Sequence, residues 1–230
     1  MRPFYPFSAI EPAGMDGLIC YFSGRDLREQ NDHVETYHSH LQDYAPPWLK
    51  TVIPSYDSLL LVFNPYEIDN HGVYRYLKEV KAGGTKLRTA KHHEIPVWYG
   101  APSANDLHLI SAHTGLSHED IIQQHTATRF KVFAVGFAPG FAYLGENPPS
   151  LSIPRLATPR SKVPAGAVAI ADRQSAIYPH VSPGGWHLLG LCPLTLFDIS
   201  ETPSGYLQMG DTLSFYSIKE DDYRRWHGGF

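Results

Sequence analysis

The sequence predicts an α+β protein, with a small α/β sandwich of ferredoxin-like type in front and an all-β barrel or sandwich behind. Three observations predict it. Up to about residue 80, apolar runs alternate with stretches of helical period. From Phe130 on, short apolar runs recur between turns of glycine and proline. The chain of 230 residues also holds 19 Gly, 19 Pro and 14 Tyr, which suits many short strands and not a helical bundle.

In the front part, residues 18–22 (LICYF) follow Gly14 and Gly17 and read as a buried strand. Asp32 can cap a helix running to Leu41, with His33, Val34, Tyr37 and Leu41 roughly on one side. Val52-Ile53-Pro54 leads into a strand over residues 58–63 that Asn64-Pro65 ends. Residues 71–80 read as a second helix. The polar, basic stretch 81–93, broken by Gly83-Gly84, is the best linker, which places the domains at 1–93 and 94–230.

In the back part, residues 95–99 (IPVWY) form a strand. Asn105 can cap a short helix that ends near Gly115. A second helix has a full start signal: Ser117 as cap, Asp120 completing an S-x-x-D box, and Leu116 placed to staple to Ile121. His125 and Arg129 in its last turn complement the negative end of the helix dipole. Strands then follow around Phe133-Ala134-Val135, Val168-Ala169-Ile170, residues 186–189 and residues 213–216.

Composition narrows the function. Apolar residues make up 43% and charged residues 18%, with a formal net charge of -4, so there is no basic footprint for nucleic acid. No stretch approaches the ~20 apolar residues that span a bilayer. Cys20 and Cys192 stand far apart, with no disulfide framework, and Met1 to Pro6 has no signal-peptide core, so a cytoplasmic location is expected. There is no G-x-x-x-x-G-K-[ST] loop, no G-x-S-x-G elbow and no H-E-x-x-H. His92, His93, His108, His113, His118 and His125 crowd one region, but without the i, i+4 pairs that put two ligands on one helical face. No metal ligand set is expected.

Three segments between 136 and 190 concentrate glycine, proline and a few polar side chains. Gly136-Phe137-Ala138-Pro139-Gly140-Phe141 leads into Ala142-Tyr143-Leu144-Gly145; such a turn can expose backbone N–H groups while aromatics shield them, or simply make a barrel corner. The TPRSKVPAG stretch carries Arg160, Lys162, Pro164 and Gly166, with Arg155 close by; a proline-stiffened loop lowers the entropy cost of holding a guanidinium against a carboxylate or phosphate, though a solvated basic loop reads the same way. Residues 174–179 (QSAIYP) and Ser182-Pro183-Gly184-Gly185-Trp186 add amide, hydroxyl and phenol groups, or a set of β turns around a core Trp.

With Ile95-Pro96-Val97, His125-Thr126, residues 193–198 (PLTLFD) and Met209-Gly210-Asp211, these segments resemble the family of the 5-oxoprolinase B subunit, also known as the KipI or allophanate hydrolase subunit 1 family. The likeness is firm over residues 95–218 and visible at residues 52–59, with residues 14–18 a loose form of the family's opening strand. Residues 103–107 and Ser175-Ala176 depart from its usual pattern. The resemblance implies an N-terminal α/β domain and a C-terminal cyclophilin-like β barrel.

It further implies a subunit of an ATP-dependent complex that opens 5-oxo-L-proline to L-glutamate together with subunits C and A. ATP would be bound by or with a partner, and the chain would be inactive alone. On that basis Arg160, helped by Lys162, would hold the carboxylate or phosphoryl oxygens, and His125 or Tyr178 would move protons. N–H groups around Gly140 and Gly184-Gly185 would form a donor nest, and Gly136, Phe137, Pro139, Phe141, Pro164, Gly166, Ser182 and Trp186 would complete the substrate site. Three other functions compete: a KipI-like inhibitor of a histidine kinase, a carboxyltransferase component of urea degradation, and a prolyl isomerase suggested by the barrel alone.

Overall fold

A computed structural model describes residues 1–80, 87–201 and 205–228. The chain divides into two compact units, Met1–Thr89 and Ala90–Phe230. The linker expected over 81–93 has residues 81–86 outside the described residues. His92 and His93, at its expected end, begin a strand.

The first unit holds β1 (Phe7–Pro12), β2 (Gly17–Phe22), α1 (Leu27–Tyr44), β3 (Leu49–Pro54), β4 (Ser58–Phe63) and α2 (Asn70–Glu79). Its four strands lie in the order β1-β2-β4-β3, each pair antiparallel. One face of the sheet packs on the helices through alternate residues such as Leu18, Cys20, Phe22, Leu59, Leu61 and Phe63, against Val34, Tyr37 and Leu41 of α1 and Val73 and Leu77 of α2. The first helix starts earlier than the sequence suggests: Asp26, in extended conformation, accepts a hydrogen bond from the Glu29 N–H at 2.9 Å, and Asp32 lies inside the helix. Two caps compete along this stretch, and the earlier one wins.

The second unit contains β5 (His92–Tyr99), α3 (Leu107–Thr114), α4 (His118–Ala127), β6 (Arg129–Val135), β7 (Ala142–Gly145), a 3-10 turn at Pro149–Leu151, β8 (Arg160–Val163), β9 (Ala167–Ala171), β10 (Gln174–Ile177), β11 (Ser182–Gly184), β12 (His187–Leu191), β13 (Thr212–Ser217) and α5 (Glu220–Gly228). Seven strands close a barrel in the order β10-β7-β6-β13-β5-β12-β9. Its closure is the antiparallel β9–β10 pair; β13 and β5 run parallel. Strands β8 and β11 form a separate two-stranded ribbon.

Side-chain size sorts the two faces of the barrel wall. Along β9, Val168 and Ile170 join the interior cluster with Ile95, Val97, Phe130, Val132, Leu144, Leu189, Leu213 and Phe215. Ala167, Ala169 and Ala171 face the other way, and with Ala176 of β10 they floor a second buried cluster containing Phe141, Tyr178 and Trp186. The alanines leave room for an aromatic layer on the outside of the barrel.

The start of α4 follows its sequence signal: the Ser117 hydroxyl accepts from the Asp120 N–H at 3.1 Å and donates to its carboxylate at 2.7 Å. At α3 the N-cap is Asp106, whose side chain makes no capping bond; Asn105 Oδ1 instead accepts from the Leu107 N–H at 3.1 Å. Among the described residues no helix is long and apolar enough to cross a membrane.

Candidate functional site

A cavity of about 250 Å³ lies over the aromatic layer, lined by Phe137, Phe141, Tyr143, Arg155, Pro159, Tyr178, Pro183, Gly184, Gly185 and Trp186. The β6–β7 turn supplies Phe137 and Phe141, closed by the Gly136 N–H donating to the Phe141 carbonyl at 3.0 Å. The ribbon strand β11 and the residues just after it supply Pro183 to Trp186, while Tyr178 follows β10. Phe141 is the hub, meeting Phe137, Tyr143 and Tyr178 edge-on at centroid distances of 5.2, 4.8 and 5.2 Å, and Trp186 at 6.2 Å. Edge-to-face contacts of this kind hold rings in fixed orientation.

One cation and two phenols enter this apolar cup. The Arg155 guanidinium stands 5.7 Å from the Trp186 ring centroid, within cation–π range. It makes no hydrogen bond or ion pair to any described residue, and no carboxylate lines the cavity. Burial holds the Tyr143 and Tyr178 phenols above their ordinary pKa, against the pull of Arg155, so both stay protonated at neutral pH. The site can therefore bind a small anion with an apolar body.

Of the residues singled out from the sequence, Phe137, Phe141, Tyr178, Gly184, Gly185 and Trp186 come together here. Arg160 does not line the cavity. Its Nη2 donates to both oxygens of Asp106 at 2.6 and 2.7 Å, and its Nη1 donates to the Trp186 carbonyl at 3.2 Å. Asp106, almost fully buried, also accepts from the Leu188 N–H at 2.7 Å. Arg160 is thus neutralised and fastens the backbone at Trp186 to the start of α3; it is not a free anion site.

His125 is also corrected. It is fully buried in the barrel interior, its ring stacked on Phe215 at 4.5 Å. The Tyr99 hydroxyl donates to Nδ1 at 2.7 Å, Nε2 pairs with Ser175 Oγ at 3.0 Å, and that hydroxyl reaches the Ala169 carbonyl at 3.2 Å. Because a carbonyl only accepts, the serine proton goes to Ala169 and Nε2 carries the imidazole proton. Desolvation pushes the His125 pKa down to about 3, so the ring is neutral and serves neither the helix dipole nor a proton transfer in the cavity.

The remaining expected contacts lie elsewhere. Gly140 and Gly166 have φ of +79° and +78°, and a side chain would strike Phe197 at the first and the Cys192 carbonyl at the second, so both serve chain geometry. Gly136, Pro139, Lys162, Pro164 and Ser182 stand outside the lining, with Pro139 and Lys162 exposed. In the sequence Arg155 is one of several basic residues and carries no assigned role. Its signal was position: it precedes the proline-rich loop and has no acidic neighbour within several residues.

Comparison with known proteins agrees with this architecture. The family described as carboxyltransferase domain, subdomain C and D, matches residues 8–207. The chain is similar to the B subunit of 5-oxoprolinase from Bacillus subtilis (strain 168), 34% identical over an alignment that covers 94% of this chain and 95% of that protein. Among solved structures it is similar to TTHA0988, with a TM-score of 0.78 and 33% identity over 89% of this chain; it spans only 40% of that longer chain. It also overlays the K. lactis urea amidolyase with a TM-score of 0.72, covering 95% of this chain and 16% of that one, but at 14% identity this likeness carries the fold alone. The chain belongs to the family of the 5-oxoprolinase B subunit.

Proposed function

We propose that the chain is one subunit of a cytoplasmic 5-oxoprolinase complex and that the aromatic cavity takes 5-oxo-L-proline. The observation that carries the proposal is Arg155, a guanidinium without an ion-pair partner among the described residues, standing at a cup walled by aromatic rings. A five-membered lactam acid presents the matching features: a flat apolar ring and one carboxylate. At about 250 Å³ the cavity falls below the ~300–1,000 Å³ of most drug-sized ligand sites, which suits a small ring acid and not a nucleotide. Urea, by contrast, offers no anion to Arg155.

In this reading Arg155 binds and orients the carboxylate, the role first given to Arg160, while the aromatic walls keep bulk water from the ring. Subunits A and C complete the enzyme, and ATP is bound by or with a partner; the sequence holds no G-x-x-x-x-G-K-[ST] motif. The lactam needs activation because amide resonance makes its carbon a poor electrophile. Transfer of the γ-phosphoryl group from ATP to the amide oxygen releases ADP. Water then adds at that carbon, the ring nitrogen takes a proton and leaves, and a second water releases phosphate from the acyl phosphate to give glutamate.

The test is reconstitution. The chain combined with subunits A and C should form glutamate from 5-oxo-L-proline only when ATP is present, and the chain alone should form none. Equal glutamate formation by A and C without this chain would overturn the proposal.

A further inference from the structure

Tyr178 is 2% exposed, its ring set edge-on to Phe141 and resting on the alanine floor of the barrel wall. Its backbone is fully engaged: the N–H donates to Ala167 and the carbonyl accepts from Gly166. Its hydroxyl makes no hydrogen bond to any described residue, although it lies in the cavity wall beside Gly184. With no protein partner, the hydroxyl stays open to the cavity, where a ligand or a water can complete its hydrogen bonding.

Gly184 explains how the hydroxyl is kept there. A Cβ at this position would stand 2.3 Å from Tyr178 Oη and 2.8 Å from Cζ, closer than atoms can pack. The strand can cross the end of the phenol only because it carries no side chain at residue 184. The neighbouring Gly185 shows no such demand: its nearest contact would be an ordinary 3.6 Å to Pro159.

We infer that the Tyr178 hydroxyl donates to the ring carbonyl oxygen of the bound lactam, and that Gly184 is a positioning residue that holds that hydroxyl in the cavity. The inference rests on the reading of the cavity as the 5-oxo-L-proline site. The lactam carries its carboxylate and its ring carbonyl on the two carbons flanking the nitrogen. A cation and a separate neutral donor therefore match its two oxygen-bearing ends. The phenol stays protonated, so it acts as a hydrogen-bond donor rather than a base. Donation to the carbonyl oxygen also withdraws electrons from the carbon that water must reach.

Two acids separate this role from general packing. 5-Oxo-L-proline has the ring carbonyl; cyclopentanecarboxylate has the same ring size and carboxylate without it. By calorimetric titration of the full chain, Tyr178→Phe should weaken 5-oxo-L-proline about tenfold and cyclopentanecarboxylate less than about twofold. Gly184→Ala, with its fold checked by circular dichroism, should show the same preference, and the double variant should bind no worse than Tyr178→Phe alone. Equal losses for both acids, or full affinity of Tyr178→Phe for 5-oxo-L-proline, would overturn the inference, whether or not Gly184→Ala folds. Full affinity in a folded Gly184→Ala would remove the positioning role. Wild-type chain that binds neither acid would overturn the reading of the cavity itself, and the inference with it.

Discussion

The interior of the barrel and the aromatic layer on its outside are made by the same strands, yet they treat polar groups in opposite ways. On β10, Ser175 turns inward and joins a chain that begins at the Tyr99 hydroxyl, passes through both nitrogens of His125 and ends on the Ala169 carbonyl. Each donor there has an acceptor, and His125 and Ser175 are wholly buried. On the outer side, over Ala176, the Tyr178 hydroxyl and the Arg155 guanidinium end without a protein partner among the described residues. Satisfied polar groups hold a fold in one arrangement, whereas open ones remain available to water or to a ligand. The same contrast separates two arginines five residues apart: Arg160 belongs with the satisfied set through Asp106, and Arg155 with the open one.

The strongest way to break this contrast is at Asp106. Replacing it with alanine strips Arg160 of its counter-ion and orphans the buried Leu188 N–H, leaving a half-buried charge unpaired. Such losses cost about 3–5 kcal/mol when fully buried; with Arg160 partly exposed, about 3 kcal/mol is expected for Asp106→Ala. Guanidinium denaturation should show the midpoint falling with little change in slope. A loss under about 1 kcal/mol would mean that the Arg160–Asp106 pair does not fasten Trp186 and Leu188 to α3, and the division between the two arginines would fail.

The sequence made part of this legible, for identifiable reasons. Strands such as β4, β9 and β12 are apolar throughout or nearly so, and the Ser117–Asp120 box marks the start of α4 by local chemistry alone. The strands β1, β8 and β11 escaped, being short or interrupted by proline and charge (FSAIEP, RSKV, SPG), and they exist because a neighbour pairs with them. Arg160 and Arg155 look alike in sequence. What distinguishes them is Asp106, 54 positions from Arg160 and brought to it only when β12 and α3 pack together. His125 looked like a helix-end cation because it sits in a last turn, but α4 lies against β13, and Phe215 buries it. Local signals locate elements, while partners set by barrel closure decide which polar groups are spent.

A change of pH tests the closed side. His125 has a folded pKa of about 3 and an unfolded value near 6.5, so the unfolded chain binds the extra proton first. Stability from this residue is fully present above about pH 6.5 and falls as pH drops from there toward 3, by about 1.4 kcal/mol per pH unit. Between pH 7 and pH 5 the wild-type chain should lose about 2 kcal/mol from this source. His125→Gln, less stable at pH 7, should lose correspondingly less across the same interval. Parallel pH profiles for the two proteins would show that the ring can be protonated in place, and the interior would not be the sealed network described above.

The smallest effect on the fold should come from the open side, where it becomes an effect on binding. Arg155 is exposed and stands over the Trp186 ring, so Arg155→Ala should leave the unfolding free energy within about 0.5 kcal/mol of wild type. Its affinity for 5-oxo-L-proline should fall about tenfold, or about 1.4 kcal/mol, the lower range for a charge-assisted bond at a solvent-facing cation. Arg160→Ala should do the reverse in part, lowering stability first and affinity only as far as Trp186 shifts. Calorimetry and denaturation on the two variants side by side decide the matter. If Arg160→Ala loses more affinity than stability while Arg155→Ala binds normally, the anion belongs to the paired arginine after all, and an unsatisfied guanidinium on this barrel is surface and not site.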